Sequence, residues 1–214
     1  MKKGYRVHPV SLGIILMFMV LSCSKPENSS PNQPDPVDTT DTTHVDTTSR
    51  DSFTTYTILK GNNYCEKNEY PIFRQSSLKF KAIFDSSCIY TTVDPVNQED
   101  INKLYGFSDC NTLHHANSAR FGWNWMNGKM HIHAYYYADS VREFKELGTV
   151  ALNKEIICSI ELLPEKYVFT LNGKKDTVQR HCSDTVASGI KLLPYFGGDE
   201  PAPKDVRIKI KELK

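Results

Sequence analysis

The dipeptide Asn127-Gly128 stands between two runs that alternate large apolar with polar residues, a strong local signal for the two-residue turn that joins antiparallel strands. A turn of that length fixes the pairing. Met126 must face Lys129, Trp125 Met130, Asn124 His131, Trp123 Ile132, Gly122 His133, Phe121 Ala134 and Arg120 Tyr135. Phe121, Trp123, Trp125, Met130, Ile132, Ala134 and Tyr136 then share one surface. Ser118, Arg120, Asn124, His131, His133, Tyr135 and Tyr137 share the other, with Gly122 leaving open space beside His133. Slipping by one residue would put both tryptophans in water, so the first surface is predicted core and the second predicted polar.

The same period of two recurs along the chain. Leu78, Phe80, Ala82 and Phe84 alternate with lysines; Ile156, Cys158, Ile160 and Leu162 alternate with polar residues. Tyr167, Phe169 and Leu171 precede a second turn at Asn172-Gly173, and Val206, Ile208 and Ile210 mark a last strand. One short helix is expected over residues 98–105, with Asn97 as its N-cap and Gly106 just beyond its end. No repeat of 20–50 residues is present, which argues against a propeller or solenoid. The count of strands predicts an all-β fold, a two-sheet antiparallel β-sandwich.

Three segments are expected: 1–22, 23–52 and 53–214. The first opens with Lys2, Lys3 and Arg6 and continues into an apolar run too short to span a bilayer, the pattern of an export signal. It ends in Val20-Leu21-Ser22-Cys23, which resembles the lipobox of bacterial lipoproteins. The resemblance implies a signal peptide removed before Cys23, acylation of that cysteine (diacylglycerol, palmitate) and a partner in the membrane itself. It implies a cell-envelope, outer-membrane lipoprotein, facing the periplasm or the cell surface. Residues 24–52 hold almost no large apolar side chain and read as a disordered tether rich in Asp, Thr and Pro, with a span of roughly 30 Å. Its Asp-Thr-Thr triplets resemble acceptors of a general bacterial O-glycosylation system, at Thr39, Thr42 and Thr47; a plain soluble spacer is the equal alternative. A formal charge of +1 over 214 residues excludes a strongly electropositive nucleic-acid binder.

The polar surface of the hairpin carries a planar cationic fork, neutral hydrogen-bonding groups and phenol rings, an inventory suited to sugars. On one sheet of a sandwich, Arg120, Asn124, His131, His133, Tyr135 and Tyr137 resemble the concave face of concanavalin-A-like jelly rolls. That resemblance implies a jelly-roll fold and a polysaccharide or oligosaccharide as partner. Within that group, Arg120, His131-Ile132-His133 and Tyr135 partly match the arginine, Gln-x-His pair and tyrosine of alginate-lyase-like enzymes, with His131 in the glutamine's place. If this chain were such a lyase, β-elimination from a uronate would use Arg120 and Asn124 on the carboxylate. His133 would then remove the C5 proton and Tyr135 would protonate the leaving oxygen. Binding without catalysis and a structural role without a small ligand are the alternatives. No carboxylate lies on the hairpin's own polar surface, which argues against glycoside hydrolysis.

No cofactor and no metal are expected, although His131-x-His133 with His114-His115, or Asp199 with Glu200, have ligand chemistry. Lys79, Lys81, Arg207, Lys209 and Lys211 suit either a basic stripe or strands guarded against edge pairing. Beyond Cys23, Cys65, Cys88, Cys110, Cys158 and Cys182 allow one or two bridges. Cys158 is the candidate for a buried free thiol, leaving three connectivities among the other four.

Overall fold

The computed structural model describes residues 52–67 and 69–214. The signal segment, Cys23, the tether and Thr39, Thr42 and Thr47 lie outside the described residues. Twelve strands follow in order: β1 (Thr54–Ile58), β2 (Ile72–Phe73), β3 (Ser77–Phe84), β4 (Asn102–Ser108), β5 (Ser118–Met126), β6 (Lys129–Ala138), β7 (Val141–Val150), β8 (Ile156–Leu163), β9 (Lys166–Leu171), β10 (Lys174–Gln179), β11 (Gly189–Leu192) and β12 (Val206–Leu213). They make two six-stranded sheets, ordered β1-β12-β3-β8-β9-β10 and β2-β11-β4-β5-β6-β7, with every pair antiparallel. This is a jelly-roll-like β-sandwich, the fold class the periodicity predicts.

The hairpin register is the predicted one at every position, from Ser118 opposite Tyr137 to Met126 opposite Lys129. Asn127 and Gly128 take φ of 53° and 71°, the left-handed backbone such a turn requires. Phe121, Trp123, Met130, Ile132 and Ala134 are fully buried, and Trp125 and Tyr136 pack partly buried against them. The facing sheet supplies Phe80, Phe84 and Phe169, whose rings meet Phe121 and Trp123 across the sandwich at 5.1–5.6 Å between centroids.

The expected helix over residues 98–105 is absent. A short 3-10 segment spans Pro95–Glu99, capped by Asp94 rather than Asn97, and the chain then enters β4. Pairing of β4 with β5 shifts between Lys103 and Tyr105, so Leu104 is an extra residue. Leu104 and Tyr105 therefore both bury, and with Ile101 they reproduce the i, i+3, i+4 spacing of an amphipathic helix.

The basic positions are also corrected. Lys79 and Lys81 on β3 and Lys209 on β12 have a strand partner on both sides, so they guard no edge, whereas Arg207 and Lys211 lie at the ends of β12 where one side is paired. Among the described residues one disulfide forms, Cys110–Cys182, while Cys65, Cys88 and Cys158 are buried free thiols. Beside the bridge, Asp109 Oδ2 accepts from Arg180 Nε at 2.7 Å and from the Tyr167 hydroxyl at 2.9 Å, all of it away from water. That arginine is neutralised within the core, so its role is structural.

Candidate functional site

β4, β5, β6 and β7 carry the polar surface of the hairpin's sheet, where loops enclose a cleft of two lobes. The first, about 560 Å³, has Arg120, Lys103 and Arg142 among its lining, with the rings of Tyr64, Tyr70, Tyr135, Tyr137 and Tyr195 and, at one side, His114 and His115. Arg120 is only 6% exposed. Its Cζ lies 5.4 Å from the centre of the Tyr135 ring, and its Nε has no hydrogen-bond partner. Among the described residues no carboxylate pairs with it, unlike Arg180. Burial pulls the guanidinium below its usual value and the surrounding phenols oppose that pull, yet arginine stays charged at neutral pH.

Lys103 is the second cation. It reaches this surface because the β4 bulge keeps it opposite Gly122 while Leu104 turns inward. Its Nζ sits 4.9 Å from the Tyr135 ring centre and 5.6 Å from that of Tyr195, and donates to the Gly197 carbonyl at 2.7 Å. Burial, and then the charge of Arg120, bring its pKa down to about 8. Burial, then the neighbouring Tyr137, push the Tyr135 phenol up to about 12, so it stays a proton donor. His114 falls to about 4 through burial, Arg120 and His115, and is neutral near pH 7.

The second lobe, about 540 Å³, shares Lys103, Tyr135, Arg142 and Gly198 with the first. Here Asn124 Nδ2 donates to the Glu99 carbonyl at 3.1 Å, and Asn124 Oδ1 lies 3.0 Å from His133 Nε2. Burial lowers His133 to about 4, so it is neutral. With Asn124 presenting its oxygen, the network assigns the proton to Nε2 and the lone pair to Nδ1, which has no partner. A second bulge, between Ile132 and His133, sets Glu146 of β7 opposite His133, where its carboxylate meets His131 Nδ1 at 3.0 Å.

These contacts revise several sequence expectations. Arg120, Tyr135 and Tyr137 line the first lobe, and Asn124, His133 and Tyr135 the second, while His131 lines neither. Asn124 is committed to holding His133, and the group beside Arg120 is Lys103. The space beside Gly122 is not open: a Cβ there would meet Ile101 Cγ2 at 2.4 Å. Acidic residues do line this cleft: Glu146 from β7, Glu99 and Asp100 at and just after the end of the 3-10 segment, and Asp199 from the loop before β12, none of them from the hairpin. Glu200 accepts from the Val93 and Asp94 amides and from Asn97 Nδ2, each at 2.8 Å, and so anchors a loop. Among the described residues the one converging ligand set is Asp109, Cys110 and Cys182, whose cysteines form the disulfide. The histidine pair acquires no third ligand there.

The fold and site define a jelly-roll-like sandwich with a cationic, tyrosine-walled cleft on one sheet. No family model matches the chain, and no curated protein matches it. Among solved structures it is similar to the alginate lyase AlyC3, at 13% identity over 75% of this chain and 74% of that one, with a TM-score of 0.54. An alginate lyase from Pseudomonas aeruginosa aligns at 11% identity over 77% and 85%, TM-score 0.49. A Bacteroides ovatus GH16 protein of a mixed-linkage glucan locus, in complex with a glucan product, aligns at 8% over 76% and 82%, TM-score 0.48. The first likeness is one of fold.

Proposed function

We propose that this chain is a carbohydrate-binding protein of the cell envelope whose cleft takes an acidic saccharide, a uronate carboxylate lying against Arg120 and Lys103. One observation carries the proposal: a buried guanidinium beside a second cation, with no ion pair to it from any carboxylate among the described residues, Asp199 being the one acidic residue that lines the lobe. Burying an unpaired charge is costly, and an anionic ligand supplies what the fold leaves out. The tyrosine rings suit the apolar faces of pyranose units, and their hydroxyls suit sugar hydroxyls. Binding assays against acidic oligosaccharides and their neutral counterparts test the proposal; indifference to the carboxylate would refute it.

The pKa of Lys103 sets the pH dependence. The ammonium is present below about 8 and is lost as pH rises through that value, whereas a bound anion favours its charged form. Affinity for an acidic oligosaccharide is expected to hold from pH 6 to 7 and to fall above about 8, by up to roughly tenfold per pH unit. Lys103→Met should flatten that profile, and a wild-type profile already flat to pH 9.5 would exclude Lys103 from the site.

A lyase acting by β-elimination on a uronate polymer is the second reading, supported by the unpartnered Nδ1 of His133 and the protonated phenol of Tyr135 along one cleft. Arg120 with Lys103 would stabilise the carboxylate as charge develops, His133 Nδ1 would take the C5 proton, and Tyr135 would protonate the leaving oxygen. Ultraviolet absorbance from new unsaturated uronates would reveal it; intact polymer after long incubation would leave binding alone.

The lipobox-like Val20-Leu21-Ser22-Cys23 supports anchoring through lipid on Cys23, with residues 24–52 as tether. Cys23→Ala should move the protein from the membrane to the soluble fraction. Retention of that variant with membranes would contradict lipid anchoring.

A further inference from the structure

The second lobe keeps Lys103 and Arg142 but lacks Arg120, and three acidic residues line it where Asp199 alone lines the first. Beyond the shared Lys103 and Arg142, none of its lining residues is cationic, and Glu99, Asp100 and Glu146 are among them, Asp100 accepting from the Asp199 amide and Glu146 meeting His131. Its walls include Phe144 and Val96, 58% and 79% exposed. His133, 6% exposed, lines the same lobe with Nδ1 unpartnered, a buried acceptor left without a donor. An acceptor nitrogen beside an aromatic plane and carboxylate oxygens is a set that receives hydroxyl or amide N–H donors and repels another carboxylate.

We propose that the cleft reads a mixed saccharide: an acidic sugar in the Arg120 lobe joined to an uncharged sugar in the Glu146 lobe. Chains that alternate a uronate with a neutral sugar fit both lobes, whereas a continuous polyuronate sets its next carboxylate among Glu99, Asp100 and Glu146. The proposal rests on the uronate assignment of the first lobe and extends it by one sugar. Lys103, Tyr135 and Arg142 form the boundary and stand where the linkage between the two units would lie. The uncharged ring rests on Phe144, and its hydroxyls meet His133 Nδ1 and the carboxylates. Selectivity arises from repulsion in one lobe as much as from attraction in the other.

Isothermal titration of the folded protein with two panels of tetrasaccharides tests this, one panel of homopolymeric uronates and one alternating a uronate with a neutral hexose or N-acetylhexosamine. At least one alternating tetrasaccharide should bind about tenfold more tightly than every homopolyuronate. The double variant Glu99→Gln with Glu146→Gln should narrow that ratio to about threefold or less, by improving the homopolyuronates. A homopolyuronate that binds as tightly as any alternating chain, or a ratio the double variant leaves unchanged, would overturn the two-lobe assignment. If binding in that case still depends on Arg120, the uronate assignment of the first lobe survives. Absence of binding by every acidic tetrasaccharide removes both.

Discussion

Replacing Arg120 with alanine is expected to weaken binding of an acidic oligosaccharide by about 2–4 kcal/mol, roughly 30- to 1000-fold. A neutral oligosaccharide of the same length should lose far less. The asymmetry follows from where Arg120 sits: its planar donors occupy a desolvated floor, so a carboxylate set against them forms charge-assisted bonds with little competition from water. The substitution should not unfold the protein. No carboxylate of the sandwich is left unpaired by it, and an uncompensated buried cation is removed. The melting temperature of the ligand-free variant is therefore expected to equal or exceed that of wild type, a sign that Arg120 is kept for binding at some expense of stability. Equal losses for acidic and neutral ligands, measured by titration calorimetry, would contradict carboxylate recognition. A variant that melts far below wild type would show that Arg120 holds the fold.

Trp123→Ala carries the largest expected effect on stability. The indole is fully buried and contacts Phe84, Tyr90 and Phe196, so its loss opens a cavity at the centre of the sandwich. Such truncations cost about 3–5 kcal/mol, a large share of the stability of a domain this size. Trp125, two positions along the same surface, is partly exposed at the end of the strand and should cost markedly less when truncated. Urea unfolding of the two variants checks the difference. Similar midpoints would mean that the sandwich does not close over Trp123.

The hairpin was legible because two independent constraints agree there. Asn127-Gly128 fixes a register, and the alternation of indoles with polar groups permits no other. Legibility fails where the period of two is interrupted. The bulge at Leu104 buries neighbouring residues and imitates a helical stripe, and that imitation hides Lys103, whose place on the polar surface follows only from β4 being a strand. The bulge opposite Ile132 and His133 likewise brings Glu146 into play, since its position depends on how β7 pairs rather than on its own sequence. β7 lies at the edge of its sheet and exposes most of its residues, Val141 and Phe144 included, so it lacks the apolar alternation that announces a half-buried strand. Asp139-Ser140, which joins β6 to β7 with both residues at positive φ, is a weaker turn signal than Asn-Gly. The tyrosines of the first lobe come from segments far apart in the chain, Tyr64 and Tyr195 meeting edge to face at 4.9 Å, and no local pattern brings them together. The disulfide could be narrowed to a few pairings, but choosing Cys110 with Cys182 needs the distance that the fold sets between them.

Carboxyl reduction gives the most direct measurement. An acidic oligosaccharide and the same molecule with its carboxylates reduced to primary alcohols differ in charge and little else. Titrated side by side into the wild-type protein at pH 7, the acid should bind at least about tenfold more tightly than the alcohol, and Arg120→Ala should erase most of that difference. Equal affinity of the wild-type protein for both forms would show that the guanidinium and ammonium at the floor of the cleft serve some purpose other than holding a uronate.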